Sequence, residues 1–350
     1  MKENAFGAPE LMSMTTDTWT MRSDEEPFFR DGVVQALIAT KPMQRLGRIG
    51  FLGAIDYVRK GSGASPDRRR HNRLEHSLGV AKLAERYSDL VGMTQKDRNL
   101  VLAAALLHDI GHGPLSHTLE PVFEEKFGIN HHKASRDIIR GESMLGAEIR
   151  TVLQEFSVDP EQVIALIDGE NVNQYSFLFS SPLNLDTLEG ITRCRAFVGP
   201  RAAFGSPITL VERMAENSKF LQNDYDAFWQ LKHNVYNLFI NARLGRVFDT
   251  VAQTYMRAQI DSFSKDDFLK TEVDLKRGHK QLFAMFRKII DGTKRARDEL
   301  PTEWMEICVE IKDRNFFIAH DFSLSDPACI NERYRQSKEV RTTTLDDLLS

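Results

Sequence analysis

Apolar residues recur at helical spacing along most of this 350-residue chain. Within 74–91, a stripe at i, i+4, i+7 and i+11 places its members on one face of a helix. The stripe consists of His76, Val80, Leu83 and Tyr87. His76 therefore points in the direction of the apolar residues. The segment 99–108 is almost wholly apolar and rich in strong helix formers, which predicts a helix buried on most sides.

The rest of the pattern predicts an all-α fold with a small mixed C-terminal segment. Two long periodic stretches lie between 224 and 262, and weaker helical segments follow the buried one. The weaker segments are 119–127, 133–140, 146–155 and 160–167. Near the end of the chain, 308–311 and 316–318 favour β-strands, whereas 337–350 is polar and is predicted to be a frayed tail.

These patterns divide the chain into three parts. Residues 1–26 are polar and of mixed charge, do not resemble a secretory signal and are predicted to form a flexible arm. Residues 27–300 form the predicted helical core. Residues 301–350 are the C-terminal segment with short strands and the frayed tail.

Composition and charge indicate an aqueous, reducing compartment. Apolar residues make up 41% of the chain, and no apolar run reaches the roughly 18 residues that a membrane span needs. Three widely spaced cysteines argue against a disulfide framework. We therefore expect a cytoplasmic protein without membrane contact. The net charge of −4 gives no general attraction for nucleic acid, and the basic segment 60–73 is interpreted mainly as a solvated loop.

Histidines are concentrated in one part of the chain. Seven of the ten lie between His71 and His132, and the densest piece is 106–117, L-L-H-D-I-G-H-G-P-L-S-H. It places Asp109 directly after His108 at the end of an apolar helix, where an unpaired charge costs several kcal/mol. A divalent cation would remove that cost. One isolated histidine would be interpreted as a hydrogen-bonded core residue, but this cluster indicates a metal site.

Imidazole and carboxylate ligands suit one divalent ion, which could be Mn, Fe, Zn, Ni or Mg. His108 and Asp109 can both reach such an ion from the end of a helix, and His76 can add a ligand from the preceding helix. A distant carboxylate must complete the set. The best candidate is Asp186, in the segment S-P-L-N-L-D-T-L-E-G-I-T-R.

At these residues the chain resembles the HD superfamily, and more narrowly its deoxynucleoside triphosphate triphosphohydrolases. The segment 73–80, R-L-E-H-S-L-G-V, and the segment 106–117 match that family nearly residue for residue. Looser matches at 43–46 with 52–53 and at 242–261 extend the resemblance over roughly 27–275. No sterile-alpha-motif, which vertebrate members join to the HD domain, is expected before the match.

The resemblance implies a helical HD-domain fold and a site with four metal ligands, His76, His108, Asp109 and Asp186. It further implies that Arg73 binds substrate phosphate, as suits a rigid guanidinium fork. A polar set beside the metal would consist of His112, Glu120 and His131, and His117 would protonate the leaving oxygen. His132 is given no role. A second Mg ion could arrive with substrate phosphates, and a homo-oligomer is expected.

The sugar-reading residues of the family are not present. They fall on Phe51, Gly190 and Cys194, whereas Leu52 keeps the family residue and is expected to line the pocket. Strict deoxynucleotide specificity is therefore not expected. The residues that hold an activating guanine nucleotide in vertebrate relatives align near Ala39 and Gly47, so that regulation is not expected either.

Three functions remain open from the sequence. The first is hydrolysis of a nucleotide, with release of triphosphate from a nucleoside triphosphate. The second is a phosphodiesterase or nuclease of the same fold, acting on cyclic nucleotides, oligonucleotides or single strands. The third is a non-catalytic protein that uses the metal structurally or senses a nucleotide.

Overall fold

A computed structural model of the chain describes residues 29–58, 70–198, 204–218, 221–324 and 330–350. The predicted arm over 1–26 and most of the basic segment 60–73 lie outside these residues. The helices of the first half are α1 (Gly32–Ala39), α2 (Lys41–Leu46), α3 (Arg73–Leu90), α4 (Gln95–Leu107), α5 (Glu120–Phe127), α6 (His131–Ile139), α7 (Gly146–Glu155), α8 (Pro160–Ile167), α9 (Phe177–Ser180) and α10 (Leu185–Arg193).

The second half continues the helical architecture. Its helices are α11 (Arg195–Val198), α12 (Pro207–Ala215), α13 (Leu221–Val235), α14 (Arg243–Ala258), α15 (Glu272–Gly278), α16 (Lys280–Asp291), α17 (Thr293–Glu299), α18 (Ile330–Arg333) and α19 (Leu345–Leu349). A π-helical turn, Tyr236–Ile240, follows α13. The strands are β1 (Cys308–Ile318) and β2 (Tyr334–Thr344). The all-α fold class expected from the sequence is confirmed.

The two helices with the strongest sequence pattern lie at the centre of the fold. The side chain of Asn72 caps α3, and that of Thr94 caps α4, each by accepting a backbone N–H three residues ahead. Every residue from Val101 to Leu107 is fully buried. A helix without a solvated face is stabilised by packing rather than by its own propensity.

Two apolar clusters share the interior, and the loop after α4 joins them. Ile110 belongs to the cluster built around α1, α3, α4, α8 and α10. Leu115, five residues later, belongs to the cluster around α5, α14 and α16. The loop that carries the histidine-rich motif is therefore anchored in both cores.

The C-terminal segment is more ordered than the sequence predicts. The two short β-favouring pieces are parts of one strand, β1, which pairs antiparallel with β2 from Cys308 opposite Thr344 to Ile318 opposite Tyr334. The ladder continues through the polar middle of β1 because backbone pairing does not depend on side-chain polarity.

The frayed tail predicted for 337–350 is wrong for the described structure. Most of it belongs to β2, and the rest forms α19. Thr344 and Asp347 make a capping box at the start of α19. Leu345, Leu348 and Leu349 are buried in the second apolar cluster. Leucines at i, i+3 and i+4 are enough to anchor so short a helix.

Among the described residues, the helices are too short or too polar for any of them to span a bilayer.

Candidate metal centre

Three helices deliver the predicted metal ligands to one place. His76 is the fourth residue of α3, His108 caps the C-terminus of α4, and Asp186 is the second residue of α10. The Nε2 atom of His76 lies 3.0 Å from Asp186 Oδ1 and 3.1 Å from His108 Nε2. The structure thus brings together residues that are 110 positions apart in the chain.

The fourth predicted ligand completes the cluster. Asp109 Oδ2 lies 3.5 Å from Nε2 of both His76 and His108, and His108 Nε2 lies 3.7 Å from Asp186 Oδ1. Donor atoms about 2.1 Å from one ion lie roughly 3.0 to 3.5 Å apart, so this spacing suits a shared cation. His76, His108 and Asp186 also meet the geometric requirement for a metal group without Asp109.

Both histidines present the same ring nitrogen to the cluster. The Nδ1 of His108 lies 2.9 Å from the carbonyl oxygen of Ala105, to which it can donate. The Nδ1 of His76 lies 2.5 Å from Glu189 Oε2. A proton held on Nδ1 leaves the lone pair of Nε2 for a metal, which is how ligating histidines are oriented.

The electrostatics of the cluster favour a positive charge at its centre. Burial would lower the pKa of His76, but the charge of Glu189 and hydrogen bonds with Asp186 and Glu189 raise it to about 9. Burial would raise the pKa of Asp186, yet the neighbouring histidines lower it to about 2. Burial opposes ionisation of Asp109 as well, but the charge of Arg73 holds its pKa well below the usual range. Both carboxylates of the cluster are therefore ionised at neutral pH, and a divalent cation fits this donor set.

One side of the cluster is open. The side chain of His76 is 1% exposed, whereas that of Asp186 is 57% exposed. Asp186 is thus the most accessible of the four side chains, since those of His108 and Asp109 are 10% and 9% exposed. A substrate would approach from this side.

A second polar set lies directly beside the first. His112, His117, Glu120 and His131 have ligand atoms that all lie within 4.8 Å of one another. The rings of His112 and His131 stack with centroids 4.2 Å apart, and His117 packs edge-on against His112 at 4.6 Å. His131 Nδ1 lies 2.5 Å from Glu120 Oε2.

Gly111 allows this second set to form. A Cβ atom on Gly111 would overlap the backbone of His131 and Ser135 in α6. The loop after α4 can therefore touch the first turn of α6 only with glycine at this position. That contact is what brings His131 onto the ring of His112.

His112 is fully buried and faces Asp109. Its Nε2 lies 3.2 Å from Asp109 Oδ1, but neither ring nitrogen has hydrogen-bond geometry with a described partner. Burial and then the charge of Arg73 hold the pKa of His112 well below its usual range. His112 is thus a neutral imidazole with hydrogen-bonding capacity left for a ligand.

His117 and Glu120 form the outer edge of the second set. The protein atoms packed around the imidazole partly desolvate His117 and lower its pKa, although Glu120 opposes this effect. Burial would raise the pKa of Glu120, but its interactions with His117 and His131 lower it overall. The side chain of His117 is 62% exposed. It can therefore reach a bound molecule.

Arg73 bridges the motif loop and the start of α3. Its Nη1 donates to Asp109 Oδ2 at 2.6 Å, and its Nε donates to Ser116 Oγ at 3.0 Å. The guanidinium lies 5.0 Å from the ring centre of Phe51. The predicted phosphate-binding arginine therefore touches a predicted metal ligand.

Of the residues that replace the sugar-reading groups, Phe51 and Gly190 lie beside His76, whereas Cys194 lies in the apolar core. The ring of Phe51 packs on His76 with centroids 4.7 Å apart, and a Cβ on Gly190 would lie 3.4 Å from that ring. Leu52 follows Phe51 and is partly buried. Cys194, by contrast, is 2% exposed and lies in the first apolar cluster. Its predicted contact with substrate is not supported because the packed core leaves no thiol surface for a ligand.

Two buried residues near the cluster were missed by the sequence analysis. Glu189 contacts His76, and Arg193 makes an ion pair with Glu189. The four-residue spacing of Glu189 and Arg193 is common on solvated helices and carries no metal signal by itself. A signal does exist in their three- and seven-residue spacing from Asp186, which places all three on one helix face.

Lys232 in α13 was also missed. Its Nζ lies 4.5 Å from the ring centre of Trp229 and 4.7 Å from that of Phe316. Burial lowers the pKa of Lys232 to about 8, and the nearby charge of Asp186 opposes the shift. An aromatic-flanked cation therefore lies on the Asp186 side of the cluster.

The segment that carries most of this site matches a known protein family. Residues 73–169 match the family model for the HD domain. The match begins at Arg73 and spans His76, His108, Asp109 and the second polar set. The resemblance of this segment to the HD superfamily is thus confirmed.

Two curated proteins are similar to part of this chain. The chain is 36% identical over 175 residues to the uncharacterized protein YwfO of Bacillus subtilis, covering 49% of this chain and 37% of that protein. It is 32% identical over 148 residues to the human deoxynucleoside triphosphate triphosphohydrolase SAMHD1, covering 39% of this chain and 22% of that protein. The chain therefore spans well under half the length of these curated relatives.

A solved structure has the same fold. A hypothetical protein from Aquifex aeolicus covers 93% of this chain with a TM-score of 0.60, and the match includes 98% of that protein at 17% identity. This likeness concerns the fold alone.

The assignment of Asp186 as the last ligand can be tested against a neighbouring acid. We expect Asp186→Ala to lower metal content strongly because it removes the carboxylate 3.0 Å from His76 Nε2. Asp168→Ala is the matched control, since its carboxylate is paired with Arg136 at 3.0 Å. Metal content is measured after dialysis against trace Mn²⁺. Full metal content in Asp186→Ala would contradict the assignment.

Proposed function

We propose that this chain is a metal-dependent phosphohydrolase that acts on a nucleotide, with release of triphosphate from a nucleoside triphosphate as the leading reaction. One observation carries the proposal: the two polar sets meet at a single carboxylate. Asp109 Oδ2 faces His76 and His108, and Asp109 Oδ1 faces His112. A phosphate beside this carboxylate would be in reach of both the cation site and the imidazoles.

A divalent cation held by His76, His108, Asp109 and Asp186 would supply Lewis acidity and lower the pKa of an attacking water. The protein's own groups would do the rest. Arg73 donates through Nη1 to Asp109 and through Nε to Ser116, and it would hold a phosphate oxygen through its third guanidinium nitrogen, Nη2. The neutral ring of His112 would donate a hydrogen bond to a phosphate oxygen, and a second Mg ion could enter with the phosphates.

The reaction needs one proton to be placed on the leaving group. Water adds its OH to the α-phosphorus, the bond from that phosphorus to the 5′ oxygen breaks, and the 5′ oxygen takes a proton. His117 is the proposed donor because its side chain is 62% exposed and packs against His112. Histidine is the usual group for this task near neutral pH.

The resemblance to a human triphosphohydrolase supports this substrate class. A phosphodiesterase or nuclease activity of the same site is the second candidate, favoured by Phe51 and Gly190 standing where sugar-reading groups are expected. We further propose that the protein acts in the cytoplasm and as a homo-oligomer.

The products of the reaction test these alternatives. The protein is incubated with nucleoside triphosphates, cyclic nucleotides and short single strands, each with Mn²⁺, Fe²⁺, Zn²⁺, Ni²⁺ or Mg²⁺. Mass spectrometry of intact triphosphate would support the leading reaction, and shortened strands or opened cyclic nucleotides would support the second. Metal binding without turnover of any substrate would overturn both in favour of a sensor or structural role.

Substrate specificity gives a further prediction. Phe51 and Gly190 offer no hydrogen-bond partner to a sugar, and each missing partner is worth roughly 1 to 3 kcal/mol of discrimination. We expect ribo and deoxyribo substrates, and those lacking the 3′-hydroxyl, to differ in kcat/KM by less than about tenfold. Competition between paired substrates measures this ratio.

The matched variant restores polar groups at both positions. Phe51→Gln with Gly190→Tyr should sharpen the preference. The two positions are changed together because a Cβ on Gly190 would already contact the Phe51 ring at 3.4 Å, and a tyrosine ring needs more room than that contact leaves. Cys194→Asp, the third exchange that the resemblance suggests, should instead destabilise the fold by burying a carboxylate. A wild-type protein that strongly rejects ribonucleotides would show that other residues read the sugar.

A further inference from the structure

Glu189 is a fully buried carboxylate between α3 and α10. It is 1% exposed, and a buried charge of this kind costs several kcal/mol unless its oxygens are paired. Here both oxygens are paired. Oε2 lies 2.5 Å from His76 Nδ1 and accepts from Arg193 Nε at 3.1 Å, and Oε1 accepts from Arg193 Nη2.

Arg193 ties this carboxylate to the beginning of α3. Its Nη2 also donates to the carbonyl oxygen of Glu75 at 2.9 Å, and its Nη1 lies 3.0 Å from His71 Nδ1. Because Asp186, Glu189 and Arg193 are three and then four residues apart, they share the face of α10 that packs on α3. One helix face therefore carries a metal ligand, the partner of a second ligand, and the anchor of that partner.

The opposing helix is shaped to admit Glu189. A Cβ atom added to Gly79 of α3 would lie 2.7 Å from both Cγ and Cδ of Glu189. Glycine in the middle of a helix costs roughly 0.5 to 1 kcal/mol relative to alanine. At Gly79 this cost is offset because the Glu189 carboxylate fills the space that a Cβ atom would occupy. That space lies one helical turn from His76.

We infer that Glu189, locked by Arg193, is a positioning residue that orients His76 and sets the approach of α10 to α3 for metal binding. The inference rests on the metal centre of the proposed function. Glu189 accepts a hydrogen bond from Nδ1–H of His76, so that Nε2 faces Asp186. Because Asp186 lies on the same helix face, one contact aligns both ligands.

Glu189→Gln tests this role while keeping the size of the side chain. A neutral acceptor binds the imidazole N–H more weakly than a carboxylate does and leaves Arg193 without its counter-charge. Loss of such an outer partner typically weakens metal binding roughly 10- to 100-fold. We expect that loss for Mn²⁺ and Co²⁺ in chelator competition, together with an altered visible spectrum of the Co²⁺ form.

Glu212→Gln is the matched control. It removes another carboxylate that pairs with α3, since Glu212 Oε1 accepts from Arg86 Nε at 2.9 Å, far along the helix from His76. A merely structural ion pair would lower the melting temperature in both variants and leave metal affinity and the Co²⁺ spectrum unchanged in both. Glu189→Asp keeps the charge and should recover part of the affinity lost in Glu189→Gln.

If Glu189→Gln does not fold, the Mn²⁺ affinity of Arg193→Lys and the protonation of His76 in wild type test the same role. Arg193→Lys keeps the charge of the anchor but loses its fork, and we expect a smaller weakening of Mn²⁺ binding in the same direction. In Zn²⁺-loaded wild type, ¹⁵N NMR should find a proton on Nδ1 of His76 and none on Nε2. Unchanged affinity in both Glu189→Gln and Arg193→Lys would overturn the inference alone, whereas a wild type that binds neither Mn²⁺ nor Co²⁺ would overturn the proposed function as well.

Discussion

Replacing His108 and Asp109 together with alanine is expected to abolish both metal binding and hydrolysis while most of the helical structure remains. The change removes two of the four converging ligands and the only carboxylate that faces both polar sets in the described residues. Metal content by mass spectrometry and turnover of the best wild-type substrate are the measurements. Rates should fall to background because no activated water remains.

The fold should survive because the interior of α4 is apolar. Far-UV circular dichroism should stay close to wild type, although the melting temperature should fall, since Arg73 loses its buried partner Asp109 at 2.6 Å. The double variant His320→Ala with Asp321→Ala is the control, since it removes an adjacent His–Asp pair that is exposed in the turn after β1. Hydrolysis by a metal-free double variant of His108 and Asp109 would show that the chemistry does not need this centre.

The first metal ligands could be predicted from the sequence because helical periodicity shows which side chains face the core. His76 stands in an apolar stripe, and a side chain in such a stripe must face the core. The structure agrees, with His76 fully buried against His108. His108 and Asp109 follow a helix that is apolar on all sides, so their position at its buried end was also implied by local pattern.

Contacts between distant segments could not be derived in this way. Asp186 was chosen partly through resemblance, because no periodicity relates it to His76. The contact between the two residues depends on how α10 packs on α3. The role of Glu189 depends on the same packing and on the absence of a side chain at Gly79. Neither residue looks unusual in the sequence.

The C-terminal segment shows a different reason for failure. Its polar residues suggested a frayed tail. Strand pairing, however, joins backbone groups whatever the side chains are, so it leaves little trace in the composition of a segment. The leucines of α19 were visible in the sequence, but they make only one helical turn. A single turn is stable only when a core receives it, and that core is built from α14 and α16, far from α19 in the sequence.

Replacing His117 with glutamine is expected to lower kcat by roughly 100- to 10,000-fold while metal content stays at the wild-type level. Glutamine keeps hydrogen-bonding groups but cannot deliver a proton. His117 does not belong to the His76 cluster, so the cation should remain bound. The measurement is single-turnover hydrolysis of the best nucleotide substrate, with metal content determined on the same sample.

A good leaving group separates proton donation from substrate positioning. An ester of p-nitrophenol expels a stable anion and needs little protonation, so His117→Gln should lose far less activity on such an ester than on a nucleoside 5′ ester. His320→Gln provides the control because His320 is exposed in the turn after β1 and is assigned no role, and it should behave as wild type on both substrates. Burial lowers the pKa of His117, so the proton must be retained with the help of substrate phosphate charge. An equal loss on both esters would mean that His117 positions the substrate and that the leaving oxygen takes its proton elsewhere.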